Sequence, residues 1–130
     1  MQKKLFLASA VAVLVLVAAG SGFAHHGTAG YDMSKTVTIT GTVAKYQWTN
    51  PHIILYVDAK DEKGQMQRWS LELSAPLLMR RFGWSSTTMK PGDQIVAEAH
   101  PSKNGAPVGI SGTATFLLKF VINGAELPHS

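Results

Sequence analysis

The sequence predicts an all-β fold, a five-stranded OB-like Greek-key barrel with one short helix between strands three and four. Three observations carry that expectation. Five segments alternate apolar and polar residues at the period of a strand. A single helix signal stands between the third and fourth of them. A glycine, Gly41, interrupts the longest strand, as the corner of a small barrel requires. Closing the sheet also removes the exposed strand edges that a chain this short would otherwise present. A plain sandwich would leave the lone helix unexplained.

The first strand is "TVTITGTVAKYQW", in which Val37, Ile39, Gly41 and Val43 alternate with threonines. "TNPH" ends it, because Pro51 has no amide donor and holds Asn50 extended. "HIILYVDA" is the second strand, with Ile53, Leu55 and Val57 on one face. The charged "KDEKGQ" turns the chain at Gly64. "MQRWSLEL" is the third. It places Trp69, Leu71 and Leu73 on one face and Arg68, Ser70 and Glu72 on the other.

In "SAPLLMRRFGW", Ser74 is a candidate helix cap and Pro76 suits a first turn. Arg80 and Arg81 favour the negative end of the helix dipole, and Gly83 closes it. "QIVAEAH" is the fourth strand. "ISGTATFLLKF" reads as an unbroken fifth strand with Ile110, Ala114, Phe116, Leu118 and Phe120 on one face. "NGAELP" is a closing turn with room for a short strand.

Residues 1–24 read as a cleavable Sec-type signal peptide. Lys3 and Lys4 are followed by an uncharged apolar run, Leu5 to Ala19, and by small residues at Gly22 and Ala24. The run is shorter than the about 20 apolar residues of a bilayer-spanning helix. No stable membrane span is therefore expected after cleavage. Residues 25–35 read as a flexible leader, and residues 36–130 as the barrel domain. Export to the periplasm or the medium of a bacterium is the expected destination. The chain has no cysteine, which export permits.

Losing Lys3 and Lys4 lowers the formal charge from +4 to +2. The remaining charges are scattered, which argues against a nucleic-acid partner. No Gly-x-Ser-x-Gly elbow, His-Glu-x-x-His motif or phosphate-binding glycine loop is present, so no enzyme activity is indicated.

The stretch "AHHG" carries the sharpest chemistry. Cleavage after Ala24 makes His25 the N-terminal residue, with a free amine beside its imidazole. The two can chelate one ion, and a further imidazole completes a T-shaped set of three nitrogens. His26 offers a second route through amine, backbone amide and imidazole. Nitrogen sets of this kind suit Cu(II) best among divalent first-row metals. His52, in "WTNPH", is the candidate further ligand, and His100 a more distant one. One copper ion is the expected cofactor. The competing expectation is a module that binds an envelope ligand or partner without metal. It would use Tyr46, Trp48 and Asn50 on a barrel face, as OB folds do when they stack ligands on aromatic rings. Trp69 and Trp84 are expected in the core.

Several segments together resemble an exported bacterial family, domain of unknown function 6152. They are "AHHG" with "YD", "ITGTVAKYQWTNPHIILYVDAKDEKGQ", "RWSLEL", "RRFGWSSTTMKPGDQIVAEAHPSKNG" and "NGAEL". The resemblance implies a small secreted β-barrel with a double histidine near its mature start. It implies no catalytic residue. Gly27 follows the histidines where the family usually has serine, and Met89 stands where leucine is expected.

Overall fold

The computed structural model describes residues 27–129. The expected signal peptide, His25 and His26 lie outside the described residues. Among the described residues, seven strands form in the order β1 (Val37–Gln47), β2 (Ile54–Lys60), β3 (Met66–Glu72), β4 (Gln94–Pro101), β5 (Val108–Ile110), β6 (Phe120–Ile122) and β7 (Ala125–Glu126). One helix, α1 (Pro76–Arg81), lies between β3 and β4.

The sheet runs β1-β2-β3-β5-β4, and β4 returns to β1, so five strands close into a barrel. Every neighbouring pair is antiparallel except β3 with β5, which are parallel. This is the connectivity of the expected OB-like barrel.

Closure depends on β1 serving two partners. Val37 to Thr42 pair with β4, and Gly41 to Gln47 pair with β2. The strand changes partner at Gly41, where a side chain would run into the carbonyl group of Asp58 on β2. A β-bulge between Val43 and Lys45 then adds further bend.

Alternation fills the barrel as the strand pattern predicts. Ile39, Val43, Leu55, Val57, Leu71, Ile95 and Ala97 point inward and are buried. Met79 of α1 and Trp84 join them, and Phe120 meets Trp84 edge-on at 5.1 Å. The indole N–H of Trp84 donates to the carbonyl of Pro128 at 2.7 Å. Trp69 is partly buried against the same core.

Two local expectations need correction. Ser74 does not cap α1. Ala75 is the N-cap residue and no side chain bonds there, while Pro76 starts the helix as expected. The C-terminal end is a Schellman motif. Gly83, at φ +84°, donates to Arg80 and Trp84 donates to Met79. The expected single strand 110–120 is instead two strands, β5 and β6. Both lie along the same edge of β4, separated by a loop closed by a Gly112–Leu117 bridge. The loop is stabilised locally: Thr113 donates to the Phe116 carbonyl, and Thr115 donates to Thr113 Oγ1. In it Leu117 is buried, and Ala114 is exposed.

Candidate functional site

The site lies on the outer surface of the barrel, where β3 ends. The outward positions of β3 are Arg68, Ser70 and Glu72, because their neighbours Leu71 and Leu73 are committed to the core. The β2–β3 ladder continues past both strands. Leu73 donates to Ile53 at 2.9 Å, and Ile53 donates to Ser74 at 3.2 Å. Ile53 is thereby held inward and His52, one residue earlier, turns outward beside Glu72.

His52 Nδ1 lies 2.8 Å from Glu72 Oε1. A carboxylate only accepts, so Nδ1 carries the proton and Nε2 of a neutral ring keeps its lone pair. Tyr31 donates its hydroxyl to the other oxygen, Glu72 Oε2, at 3.0 Å. Burial, then the charge and hydrogen bond of Glu72, push the Tyr31 phenol up to about 12. Tyr31 therefore remains a donor at every physiological pH.

Tyr31 reaches this position because residues 30–35 are bonded to the end of β4 and to the loop after it. Tyr31 bridges Ser102, Asp32 donates to Pro101 at 2.8 Å, and Lys103 donates to Gly30 at 2.9 Å. His100, on the outer face of β4, donates Nδ1–H to the Lys35 carbonyl at 2.6 Å and packs edge-on against Phe116. Ile110 pairs with both Glu72 and His100. It is 2% exposed but stands apart from the barrel core, so the apolar surface it covers is on the outside.

A cavity of about 240 Å³ opens at this place. His52, Glu72 and Ser74 form its polar side, and Leu78, Ile110 and Ala114 much of its apolar side. Gly27 lines it as well. Gly27 is the first described residue, so the described chain starts at the cavity that His52 lines. The loop that splits β5 from β6 brings Gly112, Thr113 and Ala114 to the same wall.

The model of a family of unknown function, DUF6152, matches residues 12–112. The chain belongs to this family. No curated protein and no solved structure matches it. The matched part of this DUF6152 protein contains most of the cavity lining, from Gly27 and His52 to Glu72, Ile110 and Gly112, and leaves out Thr113 and Ala114.

Of the residues expected from the sequence, His52 is in the cavity. Tyr46 and Trp48 are elsewhere: their rings meet edge-on at 5.8 Å, and both pack against the core. The Tyr46 hydroxyl is buried without a partner, and burial pushes its pKa up. Asn50 is exposed in the β1–β2 loop, in a cis peptide with Pro51. His129 lies near Glu126, far along the chain from these groups. Among the described residues, no three His, Cys, Asp or Glu side chains gather as a metal site, and no helix is long and apolar enough to cross a membrane.

Sequence reasoning missed Glu72 and Tyr31. The outward position of Glu72 was legible from the alternation of β3. Its pairing with a tyrosine 41 positions away was not.

Proposed function

We propose that this DUF6152 protein is an exported small binding module that holds one Cu(II) ion between its mature N-terminus and His52. The observation that carries the reading is Gly27 on the wall of the cavity that His52 lines. Chain geometry keeps the Cα of His25 within about 7 Å of the Cα of Gly27. A terminal amine and imidazole at His25 are therefore within reach of the same space. His52 brings the kind of nitrogen such a site needs, since its Nδ1–H is engaged by Glu72 and Nε2 is left to ligate. His25 supplies amine and imidazole, His52 supplies the third nitrogen, and His26 is the alternative donor. Three nitrogens without thiolate or carboxylate favour Cu(II). Export through a signal ending at Ala24 is part of the proposal, because only that cut frees the His25 amine.

Native mass spectrometry of the exported protein, before and after one equivalent of Cu(II), tests it. The expected mass begins at His25 and retains one copper. His25→Ala loses the copper, and His52→Ala holds it more weakly. A chain cut elsewhere, or loose adducts indifferent to both substitutions, overturns the reading.

A further inference from the structure

We infer that Glu72 is the positioning residue of this site, a single carboxylate that registers the N-terminal segment and His52 against the same point of the barrel wall. Its two oxygens have different clients. Oε1 takes Nδ1–H of His52 at 2.8 Å, and Oε2 takes the hydroxyl of Tyr31 at 3.0 Å. His52 belongs to the β1–β2 loop, and its side chain is 51% exposed, so little packing holds the ring. Tyr31 belongs to the segment that leads to Gly27. Glu72 belongs to β3, whose backbone is fixed on one side by β2 and on the other by β5. The strand thus contacts two elements outside it at once, the β1–β2 loop and the N-terminal segment.

The chemical consequence is a fixed tautomer. An isolated neutral imidazole exchanges its proton between the two nitrogens and turns about its side-chain bonds. A carboxylate on Nδ1 selects the Nδ1–H form and directs Nε2 away from the strand. Ile110, buried and paired with Glu72 across the β3–β5 ladder, gives the carboxylate an apolar neighbour on one flank. Tyr31 adds the second half: with Oε2 occupied, the carboxylate is held in one orientation. The effect on copper rests on the function proposed above. The tautomer does not.

The mature protein, labelled with ¹⁵N and free of metal, provides the test at a pH where imidazole is neutral. Long-range ¹H–¹⁵N correlations should show His52 as the Nδ1–H tautomer. Glu72→Ala should shift it toward Nε2–H. Glu72→Gln should preserve Nδ1–H, because its amide oxygen still accepts. In a Cu(II) competition titration against a chelator, Glu72→Ala should weaken binding about 10- to 100-fold, the usual cost of losing an outer-shell partner. Tyr31→Phe should keep the tautomer yet lower copper affinity, since Oε2 loses its donor and the N-terminal segment is left with its backbone bonds to Pro101, Ser102 and Lys103.

A wild-type His52 in the Nε2–H form overturns the inference outright, even if Glu72→Ala fails to fold. So does a tautomer indifferent to Glu72→Ala. The expected tautomers with no copper bound would refute the metal site alone and leave the positioning role of Glu72 standing.

Discussion

Replacing Tyr46 by phenylalanine removes one oxygen that the fold buries without a partner. The ring itself is well used: it meets Trp48 edge-on at 5.8 Å and packs against the core, and both contacts survive the change. Burying a hydroxyl without a hydrogen bond costs about 1–3 kcal/mol by protein mutational data. Phenylalanine has nearly the same shape, so no cavity offsets the gain. Tyr46→Phe should therefore stabilise the protein by about 1 kcal/mol, the lower end of that range. For a domain of about 100 residues this is a rise in Tm of about 4–8 °C. Thermal unfolding followed by circular dichroism, with urea titration of the same samples, measures both quantities. A phenylalanine variant less stable than wild type by about 1 kcal/mol, the net worth of an ordinary hydrogen bond, would refute the reasoning. It would show that the hydroxyl has a hydrogen-bond partner in solution.

Two further outcomes follow from the barrel itself. Gly41→Ala sets a Cβ against backbone atoms of Asp58, whose carbonyl carbon is 2.9 Å away, so β1 and β2 must part. It should cost about 1–3 kcal/mol or more, seen as a lower urea midpoint at an unchanged slope; an unchanged midpoint would count against the close approach. Asp93 concerns pH. The Lys90 ammonium, the Lys90 backbone N–H and the Asn123 amide hold its carboxyl at about 2, below the ordinary 3.8. Its ionised form thus favours the fold, a contribution complete above the unfolded value and lost as pH falls from there toward 2. The stability gap between wild type and Asp93→Asn should narrow over that interval. A gap independent of pH would show that the carboxylate contributes nothing.

The barrel was largely legible because its signal is local. Ile53, Leu55 and Val57 alternate strictly and are all buried. Pro76 and Gly83 bracket a helix by their backbone constraints alone. The fifth strand misled for a related reason. Ile110 and Phe120 are ten residues apart, an even number, so period two joins them, but periodicity cannot show that the chain leaves and rejoins β4 between them. Gly112 and the Thr113–Thr115 turn were the overlooked signal. The cavity was legible only at His52. Its other parts come from Gly27, Glu72, Leu78 and Ile110, and such meetings are set by topology rather than by spacing along the chain.

The double pairing of β1 also bears on how the molecule reaches its fold. The hairpins β1–β2 and β2–β3 join near neighbours, and a short loop is fast to close. The last seam is different, since Val37 must find Ala99 across most of the domain. Its closure entropy has to be met before the contacts return it. A folding time of milliseconds to seconds is the expectation for such a topology. During that time the upper edge of β1 and the facing edge of β4 are open to pairing with other chains. The exposed threonines Thr36, Thr38 and Thr40 keep that waiting edge polar.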